Sequence, residues 1–166
     1  HKQAACALCG DTDALSRATG SVNTLVFQKD GSITGFSTDG PGFSRAIREE
    51  FSVDLRDLKI VLLGACGGAG LALAYTCAMQ RCERLTLAGR AEDKLQDLKN
   101  RLSSFFIDEN RLEGASDRLA AHLNNTPRFN AALEDADLIV NATALGLKPT
   151  DPSPVPSSLF SAHHLV

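Results

Sequence analysis

The chain has 166 residues and a net charge of −3, so it can form one domain with a hydrophobic core, or one domain and part of a second. The acidic balance and the lack of a basic stripe exclude nucleic acid as an expected partner. Tyr75 and Thr76 interrupt the longest apolar stretch, Leu71 to Met79. This stretch is too short to cross a bilayer, so no membrane partner is expected either.

The cysteines indicate a reducing compartment. There are five of them, an odd number without a disulfide framework, which is typical of a cytoplasmic protein. Cys6 and Cys9 form a C-x-x-C motif, but structural zinc needs two further ligands, and the sequence has neither a second such motif nor a paired H-x-x-x-H. We therefore expect no metal site and interpret Cys6 and Cys9 as small apolar residues on a helix face.

The first part of the chain alternates short helical and β-prone segments. We predict two short helices, a β-hairpin and a longer helix, covering His1 to Leu8, Asp13 to Thr19, Val22 to Phe27, Ser32 to Phe36, and Phe43 to Phe51. Gly40-Pro41-Gly42 is interpreted as the break before the longer helix. Because two hairpin strands do not form a stable sheet alone, we expect this segment to be the edge of a larger domain.

The rest of the chain alternates strands and helices, which predicts an α/β fold with a parallel sheet. The predicted strands are Ile60 to Leu63, Arg84 to Ala88, Arg118 to Leu123, and Asp137 to Ala142. The predicted helices are Ala69 to Arg81, Ala91 to Ser104, and Pro127 to Glu134, with irregular segments at 105–116 and 148–156. We expect part of a substrate-binding domain at 1–42, a linking helix and linker at 43–57, and a Rossmann-like nucleotide-binding domain at 58–166.

A glycine-rich loop follows the first strand of the parallel region. An apolar strand, a glycine turn and a helix N-terminus together form the usual cradle for the pyrophosphate of a dinucleotide. The strict G-x-G-x-x-G/A spacing fits Gly64 and Ala69 but places Cys66 in the middle. Alternatively, the loop is one residue longer and Gly67 makes the close approach, which we favour. The predicted cofactor contacts of the loop are Gly64, Ala65, Cys66, Gly67, Gly68 and Ala69.

Cys66 carries a prediction of its own. A thiol near a helix N-terminus has a lowered pKa, so we expect Cys66 to react with alkylating reagents and to be shielded by a bound cofactor.

Four separated segments resemble the shikimate dehydrogenase family. They are Gly20-Ser-Val-Asn-Thr24, Gly35-Phe-Ser-Thr-Asp-Gly-Pro-Gly42, the glycine loop, and Asn141-Ala-Thr-Ala-Leu-Gly-Leu147. The corresponding family patterns are G-A-V-N-T, G-x-N-T-D-G-x-G, G-A-G-G-A (in some members G-A-G-G-G-A-G) and N-A-T-x-x-G-M. His1-Lys2 fits the last two positions of N-V-T-x-P-x-K. The resemblance covers the whole chain. It implies further family segments before His1, with a serine pair that holds the substrate, and after Val166.

The resemblance also implies an activity. Family members reduce 3-dehydroshikimate to shikimate with NADPH, a step of chorismate and aromatic amino acid biosynthesis. By the match, Lys2 is the general acid and base, Asp39 hydrogen-bonds both Lys2 and a substrate hydroxyl, and Asn23 contacts a ring hydroxyl. Asp39 also suits the N-cap of the helix that follows it, and both roles are compatible. For the chain alone we expect no turnover.

The cofactor is expected to be NADP. Arg90 follows the second parallel strand, where an acid would accept the ribose hydroxyls of NAD and an arginine can pair with a 2′-phosphate. NADP-dependent family members have N-R-T or N-R-S here, whereas this chain has Gly89-Arg90-Ala91, and Glu92 and Asp93 would repel a phosphate if they turned inward. The resemblance adds Ala142 and Thr143 to Gly89 and Arg90 as cofactor contacts.

Two alternatives stay open. One is an NAD-dependent quinate/shikimate dehydrogenase, and the other is a non-catalytic NADP-binding module. The sequence does not indicate an oligomeric state.

Overall fold

The computed structural model describes residues 1–107 and 117–166. Its helices α1 to α6 are Lys2–Cys6, Ala14–Thr19, Asp39–Phe51, Gly68–Met79, Glu92–Leu102 and Pro127–Glu134. Its strands β1 to β7 are Asp11–Thr12, Thr24–Phe27, Ile33–Phe36, Lys59–Leu63, Arg84–Gly89, Leu119–Leu123 and Leu138–Asn141. Among these helices, none has the length and apolar character that crossing a membrane requires.

The N-terminal sheet has three strands in the order β1-β3-β2. Strands β2 and β3 form the predicted antiparallel hairpin, with Leu25 opposite Gly35. Strand β1 runs parallel to β3 and lies where the sequence had indicated only a break between helices. Strand β2 is an edge strand whose apolar side chains, Leu25, Val26 and Phe27, are exposed.

The second sheet is parallel throughout and has the order β6-β5-β4-β7. Strand β4 is central, and its residues Ile60 to Leu63 are each 1% exposed, as expected for a strand covered by helices on both faces. The chain leaves β4 to one side through β5 and returns to its other side at β7. The α/β, Rossmann-like prediction is confirmed, and the reversal of strand order marks the crevice in which such sheets bind ligands.

Helix α3 begins four residues earlier than predicted, at Asp39 instead of Phe43. The Gly40-Pro41-Gly42 segment forms its first turn, because proline lacks only an N–H that the first turn does not need. Gly40 also lets α3 approach α4, since a Cβ atom at this position would overlap the hydroxyl of Thr76. The prediction of a break at these residues is therefore wrong.

The main hydrophobic core joins the two parts of the chain. Leu15 of α2 and Ile47 of α3 belong to the same buried cluster as Tyr75 of α4 and Leu85 of β5. A second cluster, on the other face of the parallel sheet, contains Phe129 and Leu133 of α6, with Val155 from the loop after β7. Residues 103–106 form a 3₁₀ helix with Phe106 buried, which corrects the irregular segment predicted from residue 105. Residues 108–116 of that prediction lie outside the described part.

Candidate functional site

The glycine loop forms a tight turn between β4 and α4. Gly64 has a φ of 75°, which glycine adopts without strain, and its carbonyl oxygen accepts a hydrogen bond from the Gly67 N–H at 2.8 Å. Cys66 has an ordinary backbone, because it is not among the described residues with positive φ. Gly67 is extended and is the N-cap of α4. This geometry fits the longer loop and not the strict spacing.

Gly70 is the third glycine that the fold requires, and it was missing from the predicted contacts. A Cβ atom at Gly70 would overlap the carbonyl oxygen of Gly64, so only glycine lets α4 start this close to β4. Its spacing of three residues from Gly67 was the signal in the sequence. Ala69, the residue predicted at this position, lies one residue earlier.

A cleft of about 610 Å³ opens beside this turn. Of the predicted residues it is lined by Gly64, Cys66, Gly67, Gly89, Arg90, Ala142 and Thr143. Ala65 is fully buried beneath the turn, while Gly68 and Ala69 are not among the described lining residues. The cleft thus lies at the carboxyl ends of β4, β5 and β7. This is the crevice where the strand order reverses, with β5 on one side of β4 and β7 on the other.

The wall after β7 is shaped by Asn141. Its Oδ1 accepts hydrogen bonds from the N–H (3.0 Å) and the hydroxyl (2.7 Å) of Thr143, and its Nδ2 donates to the Leu145 carbonyl at 2.9 Å. These bonds hold residues 143–145 as a turn along the cleft. Opposite, the Thr143 methyl carbon would lie 2.9 Å from a Cβ atom on Gly64, so the first glycine also keeps the two walls apart.

Among the residues that the structure describes, the cations that line the cleft are Arg90 and Lys94. Arg90, which precedes α5, was predicted, but Lys94, in the first turn of α5, was not. Glu92 and Asp93 lie in the first turn of α5, and neither is among the described lining residues of the cleft. Asp93 instead lines a neighbouring groove with Asp97 and Arg101. These two acids, considered from the sequence as a source of repulsion, therefore do not line the wall that carries Arg90 and Lys94.

These features fit a dinucleotide that carries an additional phosphate. The first N–H groups of a helix lack partners within the helix, and the N-cap of α4 makes no side-chain cap that would cover them. Gly67 lines the cleft at this helix start, where the absence of a side chain lets a pyrophosphate approach the backbone. Gly64 and Gly70 instead permit the tight turn and the close packing beneath it. Arg90 and Lys94 supply positive charge at the adjacent strand end, where the ribose of such a ligand lies.

The prediction of a lowered pKa for the Cys66 thiol is wrong. Partial burial raises the pKa of its thiol, the nearby Lys94 lowers it, and Asp93 and Asp97 raise it further. Loss of solvation and two acidic neighbours outweigh the effect of the Lys94 cation. Cys66 remains accessible from the cleft.

Lys2, Asp39 and Asn23 form a second cluster, in which three separated segments meet. The ammonium of Lys2 lies 2.7 Å from Asp39 Oδ2, and Asn23 Nδ2 donates to Asp39 Oδ1 at 2.6 Å. Asn23 is oriented in turn by Thr38, whose N–H donates to its Oδ1 at 3.0 Å. The structure therefore brings together the three residues that the resemblance assigned to substrate and catalysis.

Asp39 is not the N-cap of α3. That position belongs to Thr38, which makes no side-chain cap bond, and Asp39 is the first helical residue. The alternative role considered from the sequence is therefore wrong. Both oxygens of the Asp39 carboxylate are used by Lys2 and Asn23.

Asp13 connects the start of α2 to the segment that leads into Asp39. One oxygen caps α2 by accepting from the Ser16 N–H at 2.7 Å, and the other accepts from the Ser37 N–H at 3.1 Å, two residues before Asp39. Burial alone would raise the pKa of Asp13, but the hydrogen bonds from Ser16 and Ser37 and the charge of Arg17 outweigh it, and the pKa is lowered. The Val22 N–H donates to the Lys2 carbonyl at 3.2 Å, which ties α1 to the segment that carries Asn23.

Cys6 lies in α1, whereas Cys9 lies beyond the end of this helix, so the interpretation of Cys9 as a residue on a helix face is wrong. Both are partly buried, and the Cys9 thiol contacts the Ala5 carbonyl oxygen at 3.3 Å. Within residues 1–107 and 117–166, no cluster of three or more His, Cys, Asp or Glu side chains is arranged to hold a metal ion.

The chain is similar in sequence to several curated proteins. A shikimate dehydrogenase (NADP(+)) of Methanopyrus kandleri is 36% identical over 154 residues, which cover 93% of this chain and 49% of the relative. The chain is homologous to the shikimate dehydrogenases. It spans about half the length of the curated relatives it matches. No family model matches it.

Solved structures agree with this homology. Shikimate 5-dehydrogenase from Thermus thermophilus, in complex with NADP(H) and shikimate, matches 96% of this chain and 51% of its own at 29% identity, with a TM-score of 0.72. Quinate dehydrogenase from Corynebacterium glutamicum, in complex with NAD, matches 98% of this chain and 54% of its own at 26% identity, with a TM-score of 0.78.

Proposed function

We propose that this chain carries the proton-transfer pair and the cofactor cleft of an NADPH-dependent reductase that converts 3-dehydroshikimate to shikimate. The observation that carries the proposal is the hydrogen-bonded set of Lys2, Asp39 and Asn23. Lys2 lies in α1, Asp39 lies at the start of α3, and Asn23 lies in the segment before β2. We infer the substrate class from the homology to shikimate dehydrogenases.

The roles of the side chains follow from their chemistry. When bound, NADPH supplies the hydride that reduces the ring carbonyl carbon. The Lys2 ammonium donates a proton to the carbonyl oxygen as negative charge develops there, and it accepts that proton in the reverse direction. Asp39 keeps the ammonium in place and offers an acceptor to a neighbouring substrate hydroxyl, while Asn23 holds Asp39 at its other oxygen.

NADP is favoured over NAD by the charges at the end of β5. Arg90 and Lys94 both line the cleft, whereas no described lining residue is acidic. An NAD site usually places an acid where the ribose hydroxyls lie. The likeness to a quinate dehydrogenase in complex with NAD is the reason to keep NAD as the second candidate. A comparison of the two cofactors decides between them.

The test has two parts, because the chain spans half of its relatives. Calorimetric titration of the 166-residue chain with NADPH measures cofactor binding by itself. Turnover is measured as NADPH consumption with 3-dehydroshikimate in a chimera, defined as the Methanopyrus kandleri relative in which this chain replaces the matching half. We expect binding in the first assay and turnover in the second, while the chain alone gives no turnover.

The chimera also distinguishes an enzyme from a binding module. If the chain binds NADPH but the folded chimera does not reduce 3-dehydroshikimate, a non-catalytic NADP-binding module becomes the better description. If the chain does not bind NADPH, the assignment of the cleft fails as well.

A further inference from the structure

Two cysteines at the end of α1 lie within one tight turn. Cys6 is the last residue of α1, and the Cys9 N–H donates to the Cys6 carbonyl oxygen at 3.1 Å. A turn closed by such a bond, between residues i and i+3, keeps their Cα atoms within about 7 Å of each other. Cysteines joined by a disulfide have Cα atoms about 4.4–6.8 Å apart. The backbone therefore already holds Cys6 and Cys9 near the separation that a disulfide needs.

The two cysteines are free, and both are partly exposed. Partial burial and then the neighbouring Cys6 thiol raise the pKa of the Cys9 thiol, so the two sulfur atoms are close enough for their charges to interact. Helix α1 contains no buried residue, and small molecules can approach it from solvent. The turn thus combines proximity of two thiols with access to a reagent.

The two sulfur atoms differ in their surroundings. Cys9 Sγ lies 3.3 Å from the Ala5 carbonyl oxygen, and a Cβ atom on Gly35 would lie 2.6 Å from it. The Cys9 sulfur therefore packs between α1 and β3, on the inner side of the turn. A reagent from solvent reaches Cys6 first, and Cys9 is placed to react with whatever Cys6 has bound.

Cys77 and Cys82 provide a contrast within the same chain. The Cys82 N–H donates to the Cys77 carbonyl oxygen at 3.1 Å, so these residues are also close, but both are buried. Burial and then the neighbouring Cys82 thiol raise the pKa of Cys77, and burial raises the pKa of Cys82 to about 12. Because the thiolate is the reactive form of cysteine, this second pair is inert in the folded chain.

We propose that Cys6 and Cys9 are a redox-active dithiol, which oxidants of the glutathione disulfide class convert reversibly to a disulfide. The Cys6 thiolate attacks one sulfur of glutathione disulfide, which forms a mixed disulfide and releases one glutathione thiolate. The Cys9 thiolate then attacks the Cys6 sulfur, which forms the Cys6–Cys9 bond and releases the second glutathione thiolate. The two electrons and two protons that the cysteines lose are recovered in two glutathione thiols.

The reduced pair is the resting form of this site. Disulfides in reducing compartments are mostly transient and catalytic or redox-sensing, and exposed disulfides are the more easily reduced ones. The dithiol lies in the same helix as Lys2, but its chemistry does not depend on the proposed function or on NADPH binding.

The test is treatment of the folded, unmutated chain with glutathione disulfide, followed by alkylation, trypsin digestion and mass spectrometry. The tryptic peptide 3–17 contains Cys6 and Cys9 and no other cysteine. With an effective thiol concentration on the order of 1 mM in so short a loop, the disulfide should exceed the mixed disulfide about tenfold when free glutathione is held near 0.1 mM. The peptide should then be lighter by two hydrogen atoms and carry no alkyl group, and dithiothreitol should restore both thiols.

Two single variants and the buried pair are the controls. Cys9→Ser should stop at a glutathione adduct on Cys6, whereas Cys6→Ser should leave Cys9 mainly as a free thiol. Cys77 and Cys82 should stay reduced and become alkylated only after the chain is denatured. Two alkyl groups on the unmutated peptide, or a stable glutathione adduct without a Cys6–Cys9 bond, would overturn the proposal. Oxidation of Cys77 and Cys82 as fast as that of Cys6 and Cys9 would overturn it as well.

Discussion

Lys2 Nζ and Asp39 Oδ2 lie 2.7 Å apart, although 37 positions separate the two residues in the sequence. The side chains keep 45% and 31% of their exposure. Ion pairs this exposed contribute only about 0–1 kcal/mol to stability. The pair therefore adds little to the stability of the fold, and the function proposed above gives its ammonium a role at a bound substrate.

Lys2→Ala in the chimera should lower the turnover rate by about 10²- to 10⁴-fold, because a positioned acid is lost. The NADPH affinity of the 166-residue chain should be unchanged, since Lys2 is not among the described residues that line the cleft. NADPH consumption and calorimetry measure the two quantities. Lys29→Ala, at the exposed turn between β2 and β3, is the matched control. Turnover at the parent rate in Lys2→Ala would rule out its catalytic role.

Arg90→Ala should remove most of the preference for NADPH over NADH. One charge-assisted hydrogen bond to a phosphate contributes about 1.5–3 kcal/mol, which corresponds to a roughly 10- to 100-fold loss of NADPH affinity. Lys94→Ala should act in the same direction, while Lys99→Ala, on the same helix but not among the described lining residues, should not. Titration with both cofactors tests this. Equal affinities in the unmutated chain would favour the quinate-type, NAD-dependent alternative.

Gly67→Val should abolish detectable NADPH binding. Its φ of −78° and ψ of 170° suit valine, and the side chain fills the space meant for the pyrophosphate. A Cβ atom there would lie 3.1 Å from the Gly64 carbonyl oxygen, so the turn has to shift slightly. Gly42→Val, in the first turn of α3 with open space around its Cα, tests for a general effect of this substitution. Cys66→Gly should change affinity little, because the Cys66 backbone is ordinary. Normal affinity in Gly67→Val would show that the phosphate binds elsewhere in the loop.

Alkylation of Cys66 should be slow at neutral pH. Burial raises the pKa of its thiol, so less thiolate is present at a given pH than for an ordinary cysteine, and the rate should keep increasing at pH values above the usual thiol midpoint. Bound NADPH should protect the residue, because Cys66 lines the cleft. Mass spectrometry of iodoacetamide-treated chain, with Cys66→Ser as control, follows the reaction. Faster labelling than a model thiol at neutral pH would contradict this prediction.

Asp13→Ala should destabilise the chain in a pH-dependent way. Loss of an N-cap costs about 0.5–2 kcal/mol, and the bond to the Ser37 N–H is lost too. Because the pKa of Asp13 is lowered on folding, its stabilisation is present above the unfolded pKa of about 3.9 and disappears as pH falls through the folded value. Urea unfolding at neutral and at acidic pH measures this difference. A constant difference between parent and variant at all pH values would argue against a role for the charged carboxylate.

The parallel sheet could be predicted because short stretches of sequence are enough to identify its strands and turns. Apolar runs such as Ile60 to Leu63 are continuous, and the glycines after them mark one kind of turn. Strand β1 could not be predicted, since two polar residues, Asp11 and Thr12, become a strand only through pairing with β3. The start of α3 was misplaced because Gly40 and Pro41 disfavour helices in general. Here close packing against α4 requires a glycine at position 40, and Pro41 lies in the first turn, where its missing N–H is not needed.

The site was predictable to the extent that it depends on motifs. Lys2, Asn23 and Asp39 came from a family resemblance, and no property of an isolated lysine would have selected Lys2. Lys94 and Asn124 were missed because each reaches the cleft only through the arrangement of α5 and β6 around β5. The prediction of a lowered pKa for Cys66 was wrong because the sequence showed the helix N-terminus but neither the partial burial of the thiol nor its acidic neighbours.

The shared core has a consequence for unfolding. Leu15 of α2 and Ile47 of α3 pack in one cluster with Tyr75 of α4 and Leu85 of β5, so α2 and α3, which begins with Asp39, cannot melt without exposing part of the core that they share with the parallel sheet. We expect a single heat-absorption peak in calorimetry and not one for each predicted domain. Leu15→Ala should lower this melting temperature as a whole, by several degrees, since large-to-small substitutions in a core cost about 2–5 kcal/mol. Damage far from the nucleotide cleft would thus reduce the fraction of chains able to bind cofactor.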